Sequence, residues 1–184
     1  MILIFDPKSL WETRSKSKII QIYGRAGSGK STLAMHFVRY ILEDNPNSKV
    51  FWIDTERKTT SKRLEQTVGK YTRSMFISQP NTYQNQEETI RTLSNLTIPL
   101  TGVVVDTISH HFRGLENEGS WFHYSEKLLA FYENQILPLL IFQERMDCYL
   151  LLLHQVTSVP NEGDKPFMHK IFDEISSSWI YLSC

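Results

Sequence analysis

Gly24, Gly29, Lys30 and Ser31 satisfy the pattern G-x-x-x-x-G-K-[ST] within "IYGRAGSGKSTLA" (22–34). The pattern follows an apolar run that reads as a strand and opens a stretch with helical periodicity. Glycines at this spacing let backbone N–H groups curl round a phosphate, and the helix start adds the positive end of its dipole. Lys30 is spaced to reach the β- and γ-phosphates, and the Ser31 hydroxyl to ligate Mg²⁺. Arg25, Ala26, Gly27 and Ser28 form the turn between the glycines, and Thr32 follows Ser31. A Gly-Ser turn with a chance lysine would not come with both strand and helix. The expected ligand is a nucleoside triphosphate with Mg²⁺. The loop alone does not choose between kinase, GTPase, helicase and recombinase; the other strand ends are what point to ATP.

Three other strand ends carry polar side chains. "VVVDT" places Asp106 at the carboxyl end of an apolar run, where a second carboxylate directs Mg²⁺. "VFWIDTE" ends with Asp54 and Glu56, and an acid there can orient and deprotonate an attacking water. Spacing alone leaves Glu56 open to a second reading, a solvated loop acid. "LLLLHQV" delivers His154 and Gln155, a polar pair whose expected role is contact with the γ-phosphate. Together these ends look like an ATPase site.

Short apolar runs alternate with helical patterns along the chain. Strands are expected over 18–24, 49–55, 74–79, 101–107, 148–156 and 177–183. Helical periodicity covers 30–44, 61–71, 83–96 and 121–147, with Pro138 expected to break or kink the last. Several strands are apolar almost throughout, as in a sheet covered on both faces. The fold class implied is α/β, a doubly wound, mostly parallel central sheet with helices on both faces.

The 184 residues contain 20 basic and 20 acidic side chains, so no global field draws the chain to nucleic acid or membrane. "CYLLLL" is too short to cross a bilayer, which takes roughly 20 residues, and "MILIF" is broken by Asp6 and Pro7 before it resembles a signal peptide. Cys148 and Cys184 lie far apart, and a reducing, cytoplasmic setting is expected. His110 and His111 lack zinc-ligand company and are expected to end the strand before them. The aromatics Trp121, Phe122, Tyr124, Phe131 and Tyr132 have helical spacing, which suits core or interface.

The order and wording of these segments resemble the RecA/RadA recombinase superfamily, most of all the archaeal RadB-like RadA paralogues. "IIQIYGRAGSGKSTLA", "VFWIDTERKTTSKRLEQ", "VVVDTISHHFR", "LLHQV" and "DKPFMHKIFDEISSSWIYL" carry the likeness across residues 19 to 182. The resemblance implies a single RecA-like ATPase domain over 1–184, with 1–18 as a degenerate lead-in. It implies that Glu56 activates water, that Asp106 is the Walker B aspartate, and that Gln155 couples the γ-phosphate to a DNA-binding loop. Arg63 stands where the family stacks an arginine on adenine; a plain solvated helix charge is its other reading. His154 stands where the family has asparagine.

The departures narrow the function. No preceding helical DNA-binding domain or polymerisation linker is expected, because the glycine loop begins at residue 24, and the strands that usually follow are not expected beyond Cys184. The first DNA loop would be 113–121, where Glu116 and Glu118 oppose phosphate; the second, 157–170, offers Lys165, His169 and Lys170. The resemblance therefore implies a weak ATPase acting as an accessory in homologous recombination and DNA repair. Its expected partner is a RadA-type recombinase or another paralogue, with weak single-stranded DNA binding and no membrane. The alternatives are a P-loop kinase acting on a small molecule and a nucleotide-binding structural partner.

Overall fold

A computed structural model describes residues 6–115, 121–159 and 163–183. Its centre is a sheet of β1 (Ile19–Gly24), β2 (Lys49–Asp54), β3 (Met75–Ser78), β4 (Leu100–Asp106), β5 (Tyr149–Val159), β6 (Gly163–Pro166) and β7 (Ser178–Leu182). The order is β3-β2-β4-β5-β1-β7, every neighbouring pair parallel, while β6 pairs antiparallel with the far end of β5. The doubly wound, mostly parallel α/β fold expected from the sequence is the one formed. The strand β6 and the extension of β5 to meet it were not expected, since "GDKP" has no apolar alternation to mark it.

The continuous apolar runs have a physical cause. Val103–Val105 of β4 and Leu150–Leu153 of β5 are each at most 1% exposed, because both faces of these central strands are covered. On one face Ile20, Ile22, Leu151 and Leu153 meet Leu33, Phe37, Val38 and Ile41 of α2 (Lys30–Asp44), flanked by Leu64 of α3 (Ser61–Thr67). On the other, Val103, Val105, Leu150 and Leu152 meet α4 (Tyr83–Ser94) through Ile90 and Leu93. Phe112 of α5 (His110–Leu115), Phe131 of α6 (Trp121–Phe131) and Phe142 of α7 (Leu137–Met146) complete that layer. Buried side chains of this size contribute about 1.5–3 kcal/mol each.

The lead-in and two of the expected helices take the following forms. The lead-in is a folded helix, α1 (Pro7–Arg14), capped by the Asp6 carboxylate, which accepts from the N–H groups of Lys8 and Ser9. Its Trp11 packs against Phe37 and Tyr149 at ring distances of 5.2 and 4.9 Å, fastening α1 to α2 and the sheet. Pro138 does not end the long helix: a π-helical turn, Tyr132–Ile136, joins α6 to α7, and the Leu137 N–H reaches back to the Tyr132 carbonyl. The wider turn falls where the proline ring would meet the carbonyl four residues earlier, and so accommodates it. The helix expected over 61–71 ends at Thr67, and a 3₁₀ turn (Gly69–Ser74) follows, opened by Gly69 at φ +63°. Among the described residues no helix is long and apolar enough to cross a membrane.

Candidate functional site

The parallel sheet aligns the carboxyl ends of β1, β2, β4 and β5 along one edge, and the polar residues sit there. β1 ends at Gly24 because nothing larger fits: a Cβ there would lie 2.4 Å from the Leu182 carbonyl oxygen and 2.6 Å from Ser28 Oγ. The loop turns at Gly29, φ +95°, a left-handed conformation that favours glycine, and α2 begins without a side-chain cap. Its first N–H groups are thus left without side-chain acceptors from the cap position. Lys30 is only 7% exposed, and its Nζ donates to the carbonyls of Gly24 (2.8 Å) and Arg25 (2.9 Å).

A cavity of about 340 Å³ opens beside this loop, within the roughly 300–1,000 Å³ usual for small-molecule sites. Ala26, Gly27, Gly29, Lys30, Ser31 and Thr32 line it from the loop and α2. Glu56, Lys58 and Arg63 line it from the segment after β2, Asp106 and Thr107 from the end of β4, and Gln155 from β5. Gly24 and Ser28 are not among the lining residues; Ser28 is buried with its Oγ against Gly24. Arg25 turns outward instead, its guanidinium paired with Asp164 of β6 at 2.6 Å, so its side chain is not among those lining the cavity.

Asp106 is 6% exposed and lines the cavity together with Ser31. Burial pushes its carboxyl up to about 6; Asp54 and Glu56 nearby add to this, while Ser31 and Lys30 oppose it. Two oxygens from Ser31 and Asp106 suit a hard cation such as Mg²⁺. Glu56 is not a solvated loop acid, its side chain being 15% exposed. Its Oε1 accepts from Gln155 Nε2 at 2.6 Å and its Oε2 pairs with Lys58. Burial works to raise the Glu56 carboxyl, but the hydrogen bonds from Lys58 and Gln155, with the charges of Lys58 and His110, hold it below its ordinary range. Gln155 is itself held, since its Oε1 accepts from Arg113 Nη1 at 2.6 Å, and the Arg113 guanidinium lies 4.8 Å over the Phe167 ring.

The polar pairs read from the sequence divide. Asp54 is 1% exposed and accepts from the N–H groups of Lys58 and Thr59 and from Gln79 Nε2, at 3.2, 2.8 and 2.9 Å. It shapes the loop that carries Glu56 rather than lining the cavity. His154 likewise leaves the site: side chains alternate along β5, so Gln155 joins Leu153 on the α2 face and His154 joins Leu152 on the other. There His154 is fully buried between Phe172 and Trp179, at ring distances of 4.4 and 5.6 Å, and burial lowers its pKa to about 3. His110 and His111 open α5 instead of ending β4.

Arg63 lies on α3 with its Nη2 donating to Thr32 Oγ1 at 2.8 Å, half-buried at the cavity wall rather than free in solvent. Thr107, Lys58 and the Arg113–Gln155 contact were not read from the sequence. Lys58 carried one faint signal, its place two residues after Glu56. Glu116 and Glu118, the side chains of Trp121 and Phe122, and Cys184 lie outside the described residues.

A strand–glycine loop–helix unit at the edge of a parallel sheet, with carboxylates at neighbouring strand ends, defines a RecA-like, doubly wound α/β core. The chain belongs to the family described as Nephrocystin 3, N-terminal, which matches residues 5–113. That span runs from α1 to Arg113 in α5 and includes the glycine loop, Glu56, Arg63 and Asp106. No curated protein matches the chain.

Proposed function

We propose that this chain binds ATP with Mg²⁺ and hydrolyses it slowly, as an accessory ATPase whose turnover depends on a partner. The observation behind this is convergence: Lys30, Glu56, Asp106 and Gln155, from four separate segments, line one cavity at the mouth of a glycine loop. Lys30 and the loop N–H groups bind the phosphates, and Arg63 stands at the wall where a base would lie. Ser31 and Asp106 would hold Mg²⁺, which would neutralise charge on the β- and γ-phosphates. Glu56 takes a proton from water as the water oxygen bonds to the γ-phosphorus; the bond to the leaving oxygen breaks and ADP keeps its electron pair.

The RecA/RadA-type reading, with a recombinase or paralogue as partner, is supported by the sheet order. β5 lies between β1 and β4, so Gln155 stands between the strand ends carrying the glycine loop and Asp106. A reading as a structural partner with negligible hydrolysis is favoured by a different observation, that both oxygens of Glu56 are engaged. Titration calorimetry with ATP and Mg²⁺ should give a dissociation constant between about 1 μM and 1 mM, with phosphate release slower than about 1 s⁻¹. The absence of any binding heat for ATP or ADP would overturn the proposal. A reducing cytoplasmic setting goes with this reading; the Cys148 thiol is buried and pushed up to about 11 by that burial.

Binding to single-stranded DNA is expected to be weak. Arg113, the basic residue that opens the 113–121 segment, is engaged by Gln155 and Phe167. Lys165 on β6 and Lys170 on α8 (His169–Phe172) then supply at most about two neutralised phosphates. At about −0.7 each, the slope of log affinity against log salt should be about −1.4. Fluorescence anisotropy across a salt series measures it, and a slope steeper than about −3 would require a basic surface beyond these two lysines.

A further inference from the structure

Glu56 has a donor on each oxygen, and the two donors differ in how firmly they are held. Gln155 sits on β5 with its own oxygen fixed by Arg113, so it has little freedom to leave. Lys58 sits on a loop, its side chain 72% exposed, and Glu56 is its ion-pair partner. The turn before it, at Arg57 with φ +55°, and the Asp54 carboxylate accepting the Lys58 N–H hold its backbone beside the cavity. Lys58 lines the same cavity as Lys30 and Ser31.

An ion pair with one member so exposed is a weak competitor. A triphosphate entering the cavity would bring several negative charges to the lysine. A carboxylate stabilised by two donors is also a poorer base than one freed from its ammonium partner. We propose that Lys58 is a substrate-binding residue that exchanges Glu56 for the terminal phosphate of a nucleoside triphosphate, freeing Glu56 to act as base only when a γ-phosphate is present. The proposal rests on the ATP-binding reading above. It makes the Lys58–Glu56 pair a discriminator between triphosphate and diphosphate, with Gln155 keeping Glu56 in place throughout.

Calorimetric affinities for Mg-ATP and Mg-ADP, measured on wild type, Lys58→Ala, Glu56→Gln and the double variant, test this. Lys58→Ala should weaken ATP binding about tenfold or more, the loss expected for one charge-assisted hydrogen bond, and leave ADP binding within about twofold. The same selective loss should appear when Lys58→Ala is made on the Glu56→Gln background, because the lost contact is to phosphate. Unchanged ADP affinity also reports that each variant is folded. Equal losses for ATP and ADP would overturn the proposal. So would disappearance of the ATP effect on the Glu56→Gln background, since Lys58 would then merely neutralise the carboxylate. Both outcomes leave wild-type binding intact; failure of wild type to bind either nucleotide would instead remove the ATP reading and this proposal with it.

Discussion

Lys30→Ala should abolish ATP binding while leaving the protein folded. Lys30 is nearly buried, and its ammonium is already aimed into the loop by the carbonyls of Gly24 and Arg25. A cation so held meets a phosphate with little further ordering, which is why its removal should act on affinity more than on shape. The substitution deletes two hydrogen bonds to loop carbonyls, each contributing about 1–2 kcal/mol, so some loss of thermal stability is expected. The core built by α2 through Leu33, Phe37, Val38 and Ile41 is untouched. Calorimetry on wild type and variant, with a thermal melt of each, separates the two effects. Equal ATP affinity in both proteins would sink the phosphate-loop reading.

Glu56→Gln should lower the rate of phosphate release by about 10²–10⁴-fold, the range for loss of a general base, with ATP still bound. Glutamine keeps the shape and can still hydrogen-bond Gln155, but it cannot take a proton from water. The hydrogen bonds from Lys58 and Gln155 that lower the Glu56 carboxyl keep it ionised at neutral pH, so it needs no deprotonation before it can accept a proton. A rate unchanged by the substitution would show that Glu56 is not the base. A wild-type protein that binds ATP but releases no phosphate would favour the structural-partner reading, in which the ion pair with Lys58 persists.

Much of this protein is legible in local pattern. The glycine loop, the apolar strands and the 30–44 helix depend on residues within a few positions of one another, and α2 forms with those bounds. Sites of this kind sit at strand ends, so Asp106 and Glu56 could be picked out one strand at a time. Their company could not. The Gln155–Glu56 hydrogen bond joins residues 99 positions apart, and Arg113 reaches Gln155 across 42. No spacing rule spans such separations, because the partners are brought together by the register of β2, β4 and β5.

Packing also decided between neighbours that look alike in sequence. His154 and Gln155 read as one polar pair until the strand alternation sends His154 between Phe172 and Trp179 and leaves Gln155 at the cavity. Asp54 and Glu56 read as two equivalent acids until the loop N–H groups claim Asp54. Arg25 belongs to the loop by sequence and to Asp164 by structure. Lys58 was unremarked among nearby basic residues until a left-handed turn at Arg57 set it beside Glu56. Local residue order thus determined which segments could do chemistry. The pairing of distant strands decided which side chains share the cavity, because only there do desolvation and close charge give each its partner.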